Sequence, residues 1–481
     1  MLPPMTHRVR PWTFHGGATA LCSTCLRRIE AKEIVQDGCV YLLKRCPEHG
    51  AQKVLIADDP DYWLDARIRF RKAGEQVARP NTAFEQGCPF DCGICPEHEQ
   101  HGCLTILEVT DRCNLRCPTC YASSGPERQT HRDMATIERM LDRIVANETE
   151  PDVVQVSGGE PTEHPEFFAI LDACRRRPIR HLMVNTNGIR IARDAEFAKR
   201  LAGYAPGFEV YLQFDGLRAD THKALRGADL RDVRMRALDH LDALGLSTTL
   251  VVTLRRGLND DEIGDVIRFA VSRPCVRGVT FQPVQDAGRN DGFDPKVHRL
   301  TLTEVRRRIL QQCDWFRPAD LIPVPCHPDQ LAMAYALRTP GAATPITALT
   351  GLVDPAVFVQ GARNTIALER DEGLRAAVFA AYSTAHGPES AADAVGRLLC
   401  CLPQVALDQG AKLDYRDLFR IVIMRFLDRH DLDVANVRRS CVHIAHPDGK
   451  RVIPFNTYNL LYRDELESTV LARLRAQAVV H

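Results

Sequence analysis

Three cysteines stand closest to chemistry in this sequence. Cys113, Cys117 and Cys120 lie in the stretch Thr110-Asp-Arg-Cys-Asn-Leu-Arg-Cys-Pro-Thr-Cys-Tyr-Ala122, directly after a mostly apolar run from Leu104 to Val109. Three thiolates in a C-x3-C-x2-C pattern can hold three irons of a cubane cluster and leave the fourth iron without a protein ligand. An open iron is one that a small molecule can chelate. A zinc site would want four ligands, and the C-x3-C step is unusual for a zinc knuckle.

Two further sets of ligand-type residues precede this one. Cys88, Cys92 and Cys95 repeat the C-x3-C-x2-C spacing within Gly87-Cys-Pro-Phe-Asp-Cys-Gly-Ile-Cys-Pro-Glu-His98, with Cys103 a little further on. The repetition reads as an auxiliary iron–sulfur cluster with Cys103 as fourth ligand. His98 competes for that place, although its default reading is a surface histidine. Earlier still, Cys22-x2-Cys25 and Cys46-Pro-Glu-His49 flank a short hairpin with Cys39 to Leu43 as one strand. That is the pattern of a zinc ribbon, with rubredoxin-like iron as the runner-up. Cys39, on the strand, reads as core.

The elements that must position these groups follow a regular rhythm. Short apolar strands fall near 104–109, 152–156, 181–185, 208–214, 248–254 and 277–282, with amphipathic helices such as Met134 to Asn147 and Asp232 to Ala243 between them. Six βα units of that length imply a parallel sheet. Polar motifs end the strands: Ser157-Gly158-Gly159-Glu160-Pro161, Asn185-Thr186-Asn187-Gly188, Asp215-Gly216 and Gly278 to Pro283. Glycines admit a ligand close to the backbone, and a carboxylate there can accept hydrogen bonds from an ammonium group.

Before and after this unit the rhythm breaks. Residues 1 to about 20 read as a loose leader and 55 to 85 as a charged, mostly helical connector. Past 290, Leu302 to Cys313 is helical in pattern, Val324 to Asp329 is a rigid polar turn, and helices are expected up to Cys400-Cys401 and from Phe419 to Leu427. Cys400 and Cys401 are adjacent on their expected helix, so at most one can serve any site. Pro447-Asp-Gly449 between apolar runs signals a hairpin. Cys326 and Cys441 sit in polar settings where a ligand is credible; His443 and His446 could also bind metal, but their first reading is as exposed histidines.

Composition narrows the class. The chain has 481 residues, enough for two or three domains, and 62 basic residues balance 62 acidic ones, which argues against nucleic acid or an anionic membrane as partner. No apolar run approaches the ~18 residues of a membrane helix, and the N-terminus lacks an apolar signal core. Eighteen cysteines suggest metal ligands in a reducing compartment. The expected location is the cytoplasm.

Taken together, the motifs resemble those of the radical S-adenosylmethionine (SAM) superfamily. The whole sequence resembles the branch that includes the archaeal 7,8-dihydro-6-hydroxymethylpterin methyltransferase and the tetraether lipid synthases, down to the C-terminal Ile453-Pro-Phe-Asn-Thr-Tyr-Asn459. The resemblance implies a partial (βα)6 TIM-like barrel of the α/β class, with an N-terminal zinc-ribbon-like and cysteine-rich part and a mainly helical C-terminal domain. The expected divisions are residues 1–54, 55–103, 104–290 and 291–481. It implies a 4Fe-4S cluster on Cys113, Cys117 and Cys120 that cleaves SAM to a 5′-deoxyadenosyl radical. Gly158, Gly159 and Glu160 would hold the amino end of SAM; Asn185, Asn187 and backbone from Gly278 to Gln282 would hold the nucleoside.

The implied reaction is hydrogen abstraction followed by C-alkylation, with a reduced pterin as substrate, a lipid as the alternative, and a ferredoxin or flavodoxin as electron donor. The rival from another class is an iron–sulfur electron-transfer or sensing protein, which has no need of the Gly-Gly-Glu strand end. The sequence departs from the branch at three places. Thr119 stands where an aromatic is usual before the third cysteine, with Tyr121 as its substitute, and Gln330 and Asn456 occupy sites where thiols are expected. The radical assignment has a direct test: replacing Cys113, Cys117 and Cys120 together by Ala should abolish 5′-deoxyadenosine formation while the N-terminal zinc is retained.

Overall fold

The computed structural model describes residues 10–75, 77, 79–339, 344–361 and 417–478. Four strands come first: β1 (Thr13–Leu21), β2 (Arg28–Gln36), β3 (Cys39–Cys46) and β4 (Gly50–Ala57), paired antiparallel in that order. Of the stretch read as a loose leader, the part from Thr13 onward is strand, pairing with β2 from Val35 back to Arg28. The turn at Asp37-Gly38, both with positive φ, lets β2 and β3 form a tight hairpin. Lys44 joins this sheet to the far end of the protein: its buried ammonium donates to the Leu21 carbonyl, to Ser23 Oγ and to the His430 carbonyl at 2.6, 3.0 and 2.7 Å. Of the connector expected to be mostly helical, residues 55–57 complete β4, Pro60–Arg69 is helix, and the described residues from there to Gly102 are irregular.

The remaining strands are β5 (Leu104–Thr110), β6 (Thr119–Cys120), β7 (Val153–Gly158), β8 (His181–Thr186), β9 (Phe208–Gln213), β10 (Thr248–Leu254), β11 (Val276–Pro283), β12 (Arg289–Asn290), β13 (Ile322–Pro323), β14 (Leu331–Arg338), β15 (Ile346–Ala348), β16 (Leu418–Met424), β17 (Val442–Ala445) and β18 (Val452–Pro454). Strands β5, β7, β8, β9, β10 and β11 form the parallel sheet of a partial barrel. Alternation of side chains divides each strand between two faces. On β7, Val154 and Val156 face the helices, packing with Ile137, Leu141 and Ile170, while Gln155 faces the interior. The helix Met134–Glu148 buries Ile137, Met140, Leu141 and Ile144, one stripe at helical spacing, and starts where Asp133 accepts from the Thr136 N–H.

The region after 290 departs from expectation. Phe419 to Leu427, read as helix, falls largely on strand β16, which lies parallel to β11 and antiparallel to β14. Its apolar run Ile421-Val-Ile-Met424 fits a buried strand as well as a helix, and pairing partners on both sides decide the matter. At the opposite edge β17 pairs in parallel with β5, and β18 returns from it through the Pro447-Asp-Gly449 turn. The C-terminal region thus extends the barrel sheet at both edges. The expected helix ending at Cys400 and Cys401 lies outside the described residues.

β16 also brings a charge into the barrel. Arg420 donates to both carboxylate oxygens of Glu209 at 2.9 and 2.8 Å, and His181 Nε2 is 3.2 Å from the same carboxylate. Glu209 is fully buried. Burial opposes ionisation, but Arg420 and His181 hold its carboxyl well below the ordinary range. Removing one partner of such a pair strands a charge. Arg420→Ala should therefore cost about 3–5 kcal/mol in a denaturant titration, and a loss under about 1 kcal/mol would mean that Glu209 is not carried by this pair.

Candidate active site

The cysteine loop is shaped by what holds it. Gly159 N–H donates to the Thr110 carbonyl at 2.7 Å and Glu160 N–H to the Arg112 carbonyl at 2.9 Å, so the end of β7 is bonded along the loop that starts at β5. A Cβ on Gly159 would lie 2.2 Å from the Arg112 carbonyl oxygen, and one on Gly158, which has φ +137°, 2.3 Å from that of Thr110. The two glycines are required by this packing as much as by any ligand. From the other side, β12 pairs with β6, Arg289↔Cys120 and Asn290↔Thr119. Arg289 donates to the carbonyls of Cys117 and Ser124, both at 2.6 Å.

Cys113, Cys117 and Cys120 line one end of a cavity of about 200 Å³ together with Gly158, Gly159, Glu160, Asn185 and Asn187. The sequence-derived set is thus brought to one place. Glu160 is buried and accepts from Thr162 Oγ1, Thr186 Oγ1 and the Asn187 N–H, each at 2.7 Å. Burial pushes its carboxyl above the ordinary value in spite of these bonds. Asn187 donates to Asn114, on the cysteine loop, at 2.7 Å, and Asn185 is fixed between Ser157 and Gln213. Tyr121 packs against Phe455 with ring centroids 5.1 Å apart. Gly278 does not line the cavity; a Cβ there would lie 2.3 Å from the Arg420 carbonyl oxygen, so this glycine serves strand packing.

Sequence reasoning missed Arg226. Its guanidinium makes two 2.6 Å hydrogen bonds to Asp215 and reaches Gln213 at 2.9 Å while lining the cavity beside Cys117. Burial raises the Cys117 thiol and Arg226 counters it. The signal was available: Asp215 ends a strand, and one helix, Ala219–Arg226, returns an arginine to it. Arg420 and Tyr211 were also missed; they lie mid-strand and become cavity-lining only when the barrel curls, whereas Gln282, in the stretch expected to hold the nucleoside, does line the cavity.

The other ligand sets resolve unequally. Cys22, Cys25, Cys46 and His49 converge, with all four ligand atoms within 4.8 Å of one another. His49 Nδ1 is 3.7 and 3.5 Å from the sulfurs of Cys22 and Cys46, and Gln52 donates to Cys22 Sγ at 3.3 Å. Three thiols and an imidazole in that arrangement suit a tetrahedral zinc ion. Cys88, Cys92 and Cys95 are buried beside Tyr462, whose hydroxyl accepts from the Cys92 N–H at 2.7 Å. Cys103, expected with them, is instead grouped with Cys326 and Cys441, because it ends the loop that enters β5 just where β17 docks. His98 and His443 are buried, contrary to the surface reading, with their Nε2 atoms 3.1 Å apart. Gln330 and Asn456, at the positions where thiols are expected, hydrogen-bond each other at 3.2 Å.

A barrel with three clustered cysteines after its first strand and a Gly-Gly-Glu end on its second defines a radical SAM enzyme, and the radical SAM superfamily model matches residues 107–270. The model of the HMPTM N-terminal zinc ribbon domain matches residues 14–58. The 7,8-dihydro-6-hydroxymethylpterin dimethyltransferase of Methanocaldococcus jannaschii is 30% identical over 93% of this chain and 94% of its own. The chain belongs to that enzyme's family within the radical SAM superfamily. A GTP 3′,8-cyclase of Alkaliphilus oremlandii is 31% identical over 40% of this chain and 62% of that one. Among solved structures, Streptococcus suis SuiB bound to S-adenosylmethionine aligns loosely, with a TM-score of 0.36 and 17% identity over 44% of this chain and 48% of that one.

The carboxylate of Glu160 can be tested separately from the cluster. Glu160→Gln keeps the shape and removes the charge that would meet an ammonium group. It should weaken SAM binding by about 10-fold or more, the worth of a charge-assisted hydrogen bond at roughly 1.5–3 kcal/mol, with unchanged iron content. Because burial raises the carboxyl, wild-type SAM affinity should fall as pH drops through its pKa, and the Gln variant should lack that dependence.

Proposed function

We infer that this protein alkylates a carbon of a reduced pterin, or of a closely similar bicyclic heterocycle, by radical chemistry. The observation that carries the reading is the cavity's interior below the cysteines. It extends down the barrel to Leu104, Val153 and His181, the first residues of their strands, and presents Gln155, Tyr211, Thr280, Gln282 and Arg420. Gln282 Nε2 donates to the Tyr211 hydroxyl at 3.1 Å. Amide, hydroxyl and guanidinium groups converging in a compact space suit the ring nitrogens and carbonyl of a flat heterocycle. The end-to-end similarity to the pterin dimethyltransferase supports the same reading.

The residues present fit the group that this chemistry requires. Cys113, Cys117 and Cys120 would hold the 4Fe-4S cluster, Glu160 with the backbone of Gly158 and Gly159 the amino end of SAM, and Asn185 and Asn187 its nucleoside. When bound and reduced, the cluster supplies the electron that splits SAM and yields a hydrogen-abstracting radical. Arg226 places a positive charge beside Cys117 and so favours its thiolate. The buried Glu160 carboxylate would orient the ligand, and Tyr121, Phe426 and Phe455 line the same space with packed aromatic rings. Cys88, Cys92 and Cys95 would carry an auxiliary cluster, Cys22, Cys25, Cys46 and His49 a structural zinc, and a ferredoxin- or flavodoxin-like protein would deliver electrons.

A lipid is the second reading, favoured by the apolar share of the same lining: Ile106, Met183, Val422 and Met424. No helix among the described residues is long and apolar enough to cross a membrane. Anaerobic incubation with SAM, a reductant, a one-carbon donor and 7,8-dihydro-6-hydroxymethylpterin should give 5′-deoxyadenosine and a C-methylated pterin. Gln282→Leu should raise the pterin KM while leaving substrate-free SAM cleavage intact. An unaltered pterin beside alkylated lipid would overturn the reading.

A further inference from the structure

We propose that Cys103, Cys326 and Cys441, with His101, bind a single thiophilic ion, Zn²⁺ or Fe²⁺, as a second mononuclear metal site that clamps the seam of the barrel. The three thiols are almost wholly buried and their sulfurs lie within 4.8 Å of one another. Cys326 Sγ and Cys441 Sγ are 3.6 Å apart. Sulfurs bound about 2.3 Å from one tetrahedral ion stand roughly 3.8 Å apart. Cubane ligands sit on different irons and stand wider, so this spacing fits one ion.

His101 stands beside Cys103, outside the group of three thiols: its Nε2 is 3.8 Å from Cys103 Sγ and 3.3 Å from Glu75 Oε2, and its Nδ1 is 3.1 Å from Glu148 Oε2, so it would become the fourth ligand by exchanging Glu75 for the ion. The other oxygen of Glu148 accepts from the Gly102 N–H at 2.8 Å. A carboxylate that receives the outer N–H of an imidazole fixes the ring and its tautomer for metal binding, and this arrangement recurs behind metal-bound histidines. Arg439 donates to the Cys326 carbonyl at 3.1 Å, a cation beside the excess negative charge of three thiolates.

The placement gives the ion its role. Cys103 immediately precedes β5 and Cys441 immediately precedes β17, with Leu104 N–H donating to the Cys441 carbonyl at 3.1 Å. The radical cysteines follow the other end of β5, roughly 20 Å away at about 3.3 Å per residue. Cys326 and Cys441 are 115 residues apart in sequence, and a cross-link that closes long loops removes much of the unfolded state's entropy. Binding displaces the thiol protons and requires no redox step.

Anomalous difference maps of the anaerobically purified holoenzyme at the zinc and iron edges provide the test. One compact peak bounded by the three sulfurs and His101 is expected. A four-iron cluster there, or thiols with no metal, overturns the proposal. In solution, Cys326→Ser and Cys441→Ser should each lose one ion per protein molecule, whereas Cys174→Ser, a buried thiol in the helix Phe167–Arg175, should lose none. Should the serine variants fail to fold, Glu148→Gln keeps the packing and should lower affinity for that ion about 10- to 100-fold against a chelator. Unchanged metal retention in Glu148→Gln would remove His101 from the ligand set and overturn the four-ligand site.

Discussion

Two backbone hydrogen bonds, from Gly159 to the Thr110 carbonyl and from Glu160 to the Arg112 carbonyl, govern the reaction centre. They seat the cysteine loop on the end of the neighbouring strand. A side chain on either glycine would drive the two backbones apart, so the loop that carries the three thiols and the strand end that carries Glu160 move as one body. Gly288 plays the same part from the opposite side, since a Cβ there would lie 2.4 Å from the Cys120 carbonyl oxygen. The thiols are positioned by backbone contacts and face the cavity.

Charge inside the barrel is handled by pairing. Asp215, Glu209 and Glu108 are each buried, and each accepts two short hydrogen bonds from an arginine, Arg226, Arg420 and Arg463 in turn. Buried pairs of this kind contribute little net stability compared with apolar packing, but removing one partner is costly. Here they deliver guanidinium groups to the barrel interior with a carboxylate beside each. Arg226 and Arg420 face the cavity at different depths, one beside the thiols and one toward the floor.

Metal ligation and hydrogen bonding complement one another in the C-terminal region. Gln330 and Asn456 stand where the resemblance leads to thiols, and the pair forms a buried amide contact, with Asn456 also accepting from the Leu427 N–H at 2.9 Å. Cys326, four residues before Gln330, is drawn instead toward Cys441 and Cys103. A cubane on the expected set has lost two ligands, and a tighter three-thiol group is what the fold assembles.

Much of this protein was legible from residue order. The six barrel strands were expected within about two residues of their ends, because short apolar runs bounded by polar turns and alternating with amphipathic helices have few other solutions. The three radical cysteines, the Gly-Gly-Glu end and the Cys/His ribbon were legible because their ligands are close in sequence. Other features needed the tertiary structure. Phe419 to Leu427 carries no local mark that separates a buried strand from a buried helix, and only pairing with β11 and β14 made most of it strand. Arg420 and Tyr211 became cavity groups when the sheet curled. Cys103 could be assigned to a neighbour by spacing, but its partners lie far along the sequence, and spacing says nothing about residues that meet only when β17 closes against β5. Sequence determined the chemistry that short spacings encode; the fold decided which distant side chains share a site, because those contacts depend on strand order and curvature.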